Sequence, residues 1–288
     1  MVAAAATTPI SGLFARVYRE ILADRTQLPS MPDVAIRIRA AMQQPNYTVD
    51  TVARVVKADP GTSAYLLAVA NSPMYAPVNP IQRVEHAISR LGAETTRNLV
   101  TAHALRAMFT TRSEVLAKVM RVTWARSAKL AALSAIIAER CRGFSPDQAM
   151  LAGLLQDIGV LPLLMALEKQ KMKVPPPARI IASVEAFSSK VGAALLGHWG
   201  LEDNLVEVPR SKGDWLRNPS ETPDLADIIL IARLHTLVGT ALIQTLPKMN
   251  EIPAFKKLNL GDVGPNESLE FVREAEEEVR ALMGILGV

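Results

Sequence analysis

One short stretch of this chain places an amide next to a carboxylate inside a strongly apolar segment. Residues 151–167 read LAGLLQDIGVLPLLMAL, and Gln156 and Asp157 are the strongly polar side chains among them. A buried aspartate without a partner either destabilises the fold or takes up a proton. We therefore expect Asp157 to meet a partner, which could be a metal ion, a cation such as arginine, or a group of backbone N–H donors.

The histidines do not support a conventional metal centre. A metal-dependent hydrolase needs several protein ligands that converge on one point and an open position for water. The four histidines, His86, His103, His198 and His235, have no i, i+4 spacing, and none adjoins Asp157. We expect His86 and His198 at the surface, and His103 and His235 as packing residues of apolar helices. The sequence therefore predicts no metal, no cofactor and no catalytic residue.

The composition favours an all-α globular protein. The 288 residues are 49% hydrophobic and 21% charged, and aromatic residues make up only 5%. Abundant Ala and Leu with few aromatic residues favour close-packed helices over sheets. Cys141 is the single cysteine, which excludes an intrachain disulfide and favours the cytoplasm. We expect no signal peptide at the N-terminus, and no membrane span, because polar residues and a proline interrupt 151–167.

Charge is distributed unevenly along the chain, although the net charge is only +4. Residues 83–142 contain eleven Lys and Arg against four Asp and Glu, and residues 261–288 contain seven acids against two bases. The basic part is a candidate docking face for an acidic partner, and a solvated helix surface is the other interpretation. Phe109 and Trp124 are the only aromatic residues among these bases, and this is too few for an interleaved pattern, so we do not expect nucleic acid to bind. The candidate docking face consists of Arg83, Arg90, Arg97 and Arg106.

Capping residues predict where the helices begin. Thr48, Asp59 and Ser145 are typical N-caps, the last two with proline at the first helical position, and Asp224 follows Thr-Pro in the same way. The stretch from 201 to 219 contains two prolines and a glycine and is predicted to be irregular. The predicted helices cover 12–24, 33–43, 60–70, 81–91, 93–109, 113–141, 179–199, 224–246 and 267–286. Two more begin at Thr48 and at Ser145, and the second leads into Gln156 and Asp157.

The last predicted helix carries an apolar stripe. Val272, Ala275, Val279, Leu282 and Leu286 recur at steps of three and four, the spacing of a helix that packs on another helix. The partner is either the body of the same chain or a second copy of it, which would make a homodimer through this helix.

Four blocks in order resemble a known family. LPSMPDVAIRIRAAM, VVKADPGTSAYLLAVANSPMY, PIQRVEHAISRLGAETTRNLV and LAGLLQDIGVL resemble the HDOD family, the HD-related output domains of bacterial signalling proteins. The resemblance runs from about residue 27 to about residue 246. It implies a helical fold similar to the HD phosphohydrolases, with a lobe at 25–110 and an HD-like lobe at 111–288 that ends in the acidic helix. Residues 1–24 would be an extension with one amphipathic helix.

The chain departs from the HD metal set of His, His-Asp and Asp. It has Arg126 where an HD-like helix often presents its first His, Gln156-Asp157 for the His-Asp doublet, and Ser188 where a further His is frequent. A later His pair is absent from VEVPRSKGDW. The resemblance thus implies a degenerate metal site. We infer that Arg126 takes the place of the cation and pairs with Asp157; replacing Arg126 by Met would then leave a buried charge uncompensated.

The expected function is a non-enzymatic regulatory module that binds protein partners. The resemblance implies a partner among signalling proteins of a cyclic di-GMP or two-component pathway. The length leaves no room for a separate receiver or cyclase domain, so we expect the output to come from another protein. One alternative is a sensor that binds a nucleotide or another small anion in the former metal pocket near Arg126. A residual metal-dependent phosphohydrolase that uses Asp157 is the other.

Overall fold

Helices make up every regular element in the computed structural model, which describes residues 9–23, 28–72, 74–75, 77–170, 174–258 and 275–288. The predicted all-α class is confirmed. Two short 3₁₀ segments, Ala241–Thr245 and Met249–Glu251, accompany the α-helices. In chain order the described α-helices are α1 (Pro9–Leu22), α2 (Asp33–Met42), α3 (Val49–Lys57), α4 (Pro60–Ala70), α5 (Val84–Leu91), α6 (Ala93–Met108), α7 (Glu114–Arg140), α8 (Pro146–Leu155), α9 (Val160–Lys169), α10 (Pro177–His198), α11 (Asp203–Arg210), α12 (Leu225–Leu237), α13 (Pro253–Leu258) and α14 (Glu276–Ile285).

Helix starts follow the predicted caps. The side chains of Thr48, Asp59 and Ser145 each accept a hydrogen bond from the backbone N–H three residues further on, at 3.3, 2.8 and 3.3 Å. Asp224 forms a reciprocal capping box with Asp227 at the start of α12. Each bond satisfies one N–H that the first helical turn leaves unpaired, so these polar residues fix where the helices begin.

Two clusters of buried apolar side chains hold the helices together. The larger cluster combines α2 to α8 with α10 to α14, and its buried members include Ile38, Leu133 and Leu230. The smaller cluster joins α1 to the first half of α7, α9 and α10, and Phe14 at its centre meets Phe187 of α10 edge to face at 6.5 Å between ring centroids. The larger cluster runs through both predicted lobes, and the domain limits themselves stay a prediction.

Two helices differ from the sequence prediction because of proline and glycine. The predicted irregular stretch 201–219 contains α11, and Pro209 lies in its last turn, where a missing N–H costs one hydrogen bond only. The helix predicted to reach residue 246 ends at Leu237. Val238 is extended there, and Gly239 has a φ of +82°, a backbone conformation that favours glycine and ends the helix.

Helix α5 begins three residues later than predicted. The side-chain amide of Asn71 accepts a hydrogen bond from the Ile81 N–H at 2.7 Å and donates one to the Ile81 carbonyl at 2.8 Å. Both backbone groups of Ile81 are therefore bound to a side chain outside the helix. The helix starts only at Val84, after the extended Arg83.

The C-terminal stripe packs on the same chain. Ala275, Val279, Leu282 and Leu286 are buried in the larger apolar cluster, and α14 lies against α7; the start of the predicted helix, with Val272, lies outside the described residues. The indole N–H of Trp124 on α7 donates to the Leu286 carbonyl at 3.0 Å. The body of the protein is thus the partner that the stripe requires. A homodimer through α14 would have to use another face of this helix, and it stays a prediction.

Two apolar stretches are long enough to cross a membrane by length and composition alone. They are Pro146–Lys169, which contains α8 and α9, and Pro177–His198, which is α10. Within these stretches 89% and 50% of the most apolar window is buried inside the protein. The first stretch is thus mostly buried, as in the core of a folded domain, and the second is half-buried.

The histidines lie where the sequence places them. His86 and His198 are exposed, and His103 stacks on the ring of Tyr65 with 4.4 Å between the centroids. His235 on α12 is only 6% exposed, and burial lowers its pKa from 6.5 to about 4. These positions agree with packing roles for His103 and His235.

Burial of His235 predicts a loss of stability in mild acid. Below about pH 6.5 the unfolded chain takes up a proton at this residue, whereas the folded protein does so only near pH 4. Because the folded pKa is depressed, we expect His235 to lower the free energy of unfolding by roughly 2 kcal/mol between pH 7 and pH 5. Urea denaturation of the wild type and of His235→Gln across this range measures it. Equal slopes for the two proteins would contradict the prediction, and data at pH 8 give the pH-independent cost of the substitution.

Candidate functional site

The amide and carboxylate singled out by the sequence lie in a tight turn between α8 and α9. The turn is closed by hydrogen bonds from Ile158 N–H to the Leu155 carbonyl at 3.1 Å and from Val160 N–H to the Asp157 carbonyl at 3.0 Å. Gln156 and Asp157 are 1% and 2% exposed. Both side chains are therefore held inside the protein by a backbone that has little room to move.

Two glycines allow this turn to approach its neighbours. A Cβ added at Gly153 on α8 would lie 2.6 Å from the Ala131 Cα of α7. A Cβ at Gly159 would lie 2.0 Å from the Ser188 carbonyl oxygen and 2.4 Å from the Gly192 N on α10. Backbone thus meets backbone on both sides, and the turn is wedged between α7 and α10.

Two cations neutralise Asp157. Its Oδ1 lies 2.6 Å from Nζ of Lys212, and its Oδ2 lies 3.0 Å from Nη2 of Arg126 on α7. Burial alone would raise the pKa of Asp157, but Lys212 and then Arg126 outweigh burial and hold the pKa well below its usual range. Asp157 therefore remains a carboxylate at neutral pH.

Lys212 is the innermost cation of the site. Its side chain is 4% exposed, and its Nζ lies 2.6 Å from Asp157 Oδ1, 2.8 Å from Glu185 Oε1 and 3.3 Å from Ser188 Oγ. Oxygen atoms of three side chains, two of them charged, thus surround one ammonium group. A cation that belongs to the chain itself occupies the space between the two carboxylates.

Glu185 and Arg233 extend the network towards the surface. Arg233 donates to Glu185 Oε1 at 3.0 Å and to Gln156 Oε1 at 2.9 Å, and Arg126 Nη2 lies 3.6 Å from Glu185 Oε2. Burial raises the pKa of Glu185, but Lys212 in particular lowers it to a value below the usual range. Within the described residues this network, which we call the Asp157 network, contains three cations and two carboxylates.

The structure brings together the four positions that the resemblance to HDOD proteins singled out. Arg126, Gln156, Asp157 and Ser188 all contact members of the Asp157 network, and Arg126 lies at hydrogen-bonding distance from Asp157. Sequence reasoning missed Lys212, Glu185 and Arg233. A signal for Lys212 existed, because it stands in VEVPRSKGDW, where the resemblance leads one to look for the later His pair.

The residues of this site do not fit a metal ion. Within the described ranges, no group of three His, Cys, Asp or Glu side chains comes together in a metal-binding arrangement. Besides the two carboxylates and the cations, the described part of the network contains only an amide and a hydroxyl, those of Gln156 and Ser188, and these bind divalent ions weakly. A divalent ion near Asp157 and Glu185 would also face Lys212, which repels it.

A second buried charge network lies beside α12 and was not predicted. Arg217 donates to both carboxylate oxygens of Asp224 at 2.8 and 2.7 Å and also contacts Asp227, which is fully buried. Nζ of Lys257 on α13 lies 2.7 Å from Asp227 Oδ2. These contacts tie the segment after α11 and helix α13 to the N-terminus of α12. Asp227 can be buried because two cations of the chain neutralise its charge.

The candidate docking face lies on α5 and α6. Arg97 pairs with the glutamate three residues before it at 2.6 Å, and Arg83 lies 3.7 Å from the glutamate two residues after it. Arg90 donates to a backbone carbonyl, and Arg106 is exposed. Nearby acids thus reduce the positive charge of this face, and its role in docking stays a prediction.

Comparison with known families and structures agrees with this architecture. The family model of the HDOD domain matches residues 28–214. A solved structure of a protein provisionally assigned as a metal-dependent phosphohydrolase, from Shewanella amazonensis SB2B, superposes with a TM-score of 0.79 at 22% identity and covers 96% of this chain and 99% of its own. An HDOD domain protein of unknown function from Geobacter sulfurreducens gives a TM-score of 0.64 at 18% identity, with 96% and 98% covered.

A third solved structure has a similar fold. A protein from Marinobacter aquaeolei VT8, provisionally assigned to signal transduction, gives a TM-score of 0.64 at 22% identity and covers 97% of this chain and 66% of its own. The comparison with curated proteins finds no match. At these identities the structural likeness establishes the fold alone.

The geometry predicts that Lys212 matters more for stability than Arg126. Lys212→Met leaves two carboxylates without their inner cation, and we expect the free energy of unfolding to fall by about 3–5 kcal/mol. Arg126 is 43% exposed, and Lys212 still neutralises Asp157 in Arg126→Met, so about 1 kcal/mol is expected. Urea denaturation measures both.

Arg210→Met provides the matched control, since the exposed pair of Arg210 with Glu207 should contribute less than about 0.5 kcal/mol. Adding Asp157→Asn to Lys212→Met should recover part of the lost stability, because the uncompensated charge is then removed. An equal cost for the Lys212 and Arg126 variants would contradict the prediction, and a larger cost for Arg126→Met would make Arg126 the principal counter-charge.

Gly159 should tolerate no side chain. Because a Cβ there overlaps backbone atoms of α10, Gly159→Ala should lower the free energy of unfolding by at least about 2 kcal/mol. Gly197, on the exposed end of α10, has no atom within 4 Å of the corresponding position, so Gly197→Ala should stabilise by up to about 1 kcal/mol. Denaturation curves for both variants test this, and a neutral Gly159→Ala would contradict the close packing of the turn.

Proposed function

The chain belongs to the HDOD domain family, and from this we propose that it is a non-enzymatic regulatory module of signal transduction that acts by binding protein partners. The observation that carries the proposal is the position of Lys212. Its ammonium group lies between Asp157 and Glu185, where a catalytic cation would have to sit. The site is thereby neutralised by the chain itself and requires no ion.

The pocket around Asp157 does not offer the ligands that a hydrolytic metal ion requires. A metal-dependent phosphohydrolase uses its ion to generate a nucleophilic hydroxide and to stabilise charge on the phosphoryl group. Here Asp157 is engaged by two cations, and Gln156 and Ser188 are neutral groups that bind divalent ions weakly. The carboxylate that would be a metal ligand in an HD enzyme instead takes part in holding α7, α10 and the segment after α11 together.

The proposed context is a bacterial signalling pathway. The family and the provisional assignment of the Marinobacter protein to signal transduction support this context. We propose that the partner is a signalling protein of a cyclic di-GMP or two-component pathway, and that the module acts in the cytoplasm.

Activity assays test the absence of catalysis. The purified full-length chain should release no product from bis-p-nitrophenyl phosphate, cyclic di-GMP or a nucleotide panel when Mn²⁺ or Mg²⁺ is added, and Asp157→Ala should behave identically. Metal-dependent turnover that Asp157→Ala abolishes would overturn the proposal. The melting temperature with and without metal adds a readout that does not depend on the choice of substrate, and we expect it unchanged.

The same preparations separate a ligand sensor from a partner-binding module. A ligand that binds only the native state raises the melting temperature. A nucleotide that does so for the wild type and not for Arg126→Met would assign a sensor function to the former metal pocket. We expect no such shift, because Arg126 and Arg233 already form ion pairs with Asp157 and Glu185 and are not free to bind an anion.

A further inference from the structure

A groove of about 450 Å³ opens between the end of α4, the C-terminal part of α7 and helix α14. Its lining includes the apolar side chains of Met74, Ile136 and Ile285. Met74 is 39% exposed, whereas Ile136 is 4% exposed and forms part of the floor. None of the residues that line the groove belongs to the Asp157 network.

Three glutamates stand around this apolar groove. Glu139 comes from α7, and Glu277 and Glu278 come from α14. All three are exposed, and none of them pairs with a cation in the part of the chain that the structure describes. Carboxylates of like charge that share one groove repel each other, so the arrangement does not stabilise the folded chain.

Helix electrostatics account for only part of this arrangement. Glu277 and Glu278 lie in the first turn of α14, where the helix dipole favours acids. Glu139 lies in the last turn of α7, where the dipole disfavours acids and favours cations. The folding of α7 therefore supplies no reason for a glutamate at this position.

A buried hydroxyl at the groove also lacks a partner. Ser72 is 8% exposed and is one of the lining residues. Its Oγ forms no hydrogen bond within the described residues, which costs free energy when the atom is out of contact with water. An occupant with a hydrogen-bonding group could satisfy this hydroxyl after a rotation about its χ1 angle.

We propose that this groove is the docking site for a basic segment of a protein partner, in which an apolar side chain is flanked by arginines or lysines. The apolar residue contacts Met74 and Ile285, and the flanking cations pair with Glu139, Glu277 and Glu278. The inference rests on the proposed function as a partner-binding module, and it names the surface and the chemistry of the partner.

Charge and shape both favour this occupant. Arginine binds carboxylates with two parallel hydrogen bonds, so a basic segment relieves the repulsion among the glutamates. An exposed methionine adapts its shape to different apolar side chains. An acidic segment would be repelled, and a purely apolar one would leave the three carboxylates without counter-charges.

Fluorescence anisotropy with a labelled synthetic peptide tests the proposal. The peptide carries leucine at every third or fourth position between arginines, and two relatives replace either all arginines by glutamate or all leucines by serine. The full-length chain should bind the first peptide, with an affinity that falls as salt is added, and should bind each relative at least about tenfold more weakly.

Two triple variants locate the binding. Glu139→Gln, Glu277→Gln and Glu278→Gln together should weaken the first peptide at least about tenfold, and a cooperative melting curve checks that this variant is folded. Glu202→Gln, Asp203→Asn and Glu221→Gln remove the same charge from other exposed acids and should have little effect. An equal loss in both variants, or binding of the acidic peptide as tight as that of the basic one, would overturn the proposal.

A single substitution on α14 should block the groove. Ala281 is exposed in the groove and lies four and three residues after Glu277 and Glu278 on α14. Ala281→Arg should pair with these glutamates, raise the melting temperature and abolish peptide binding. Unchanged peptide binding in this variant would contradict the assignment of the groove.

Other occupants appear as distinct results. Spermine that competes with the peptide at equal affinity would assign the groove to small cations, and self-association that the first triple variant abolishes would assign it to a second copy of the chain; either result overturns the proposal. If the peptide does not bind and no metal-dependent turnover is found, the groove is not the docking site, and the proposed function as a non-enzymatic module is unaffected.

Discussion

A buried carboxylate that has to remain ionised sets the arrangement of the centre of this protein. Asp157 is 2% exposed, and an isolated charge at that depth would destabilise the fold. Its two cations come from α7 and from the segment after α11, and Glu185 and Ser188 on α10 complete the surroundings of Lys212. Neutralising one side chain thus requires that distant parts of the chain meet at one point.

The close approach of backbones makes this meeting possible. The turn that carries Asp157 contacts α7 through Gly153 and α10 through Gly159, with no side chain between the backbones. Short distances to Lys212 and Arg126 follow, since both cations project from elements packed against the turn. The positive charge that Asp157 requires therefore comes from side chains of the same chain.

The sequence predicted those parts of the fold that depend on neighbouring residues. Thr48, Asp59 and Ser145 cap helices through bonds that span three residues, so a local pattern contains all the information. The resemblance to HDOD proteins pointed to Arg126 and Asp157. Lys212 was missed although the resemblance drew attention to VEVPRSKGDW, because its partners lie far away in sequence and an isolated lysine in a polar stretch resembles any surface lysine. Pro209 misled the prediction for a related reason, since its effect depends on how close it lies to the end of a helix.

Helix α7 connects the two regions of the molecule that carry charge for different purposes. It supplies Arg126 to the Asp157 network. About 20 Å further along the same helix it supplies Glu139 to the groove between α4, α7 and α14. Between them, buried residues such as Leu133 fix the helix in the core, and Trp124 holds the end of α14. Because α7 is packed in the core between these two points, one helix carries both a cation of the Asp157 network and a wall of the groove. The cations that neutralise Asp157 thus belong to the same packed framework that carries the groove.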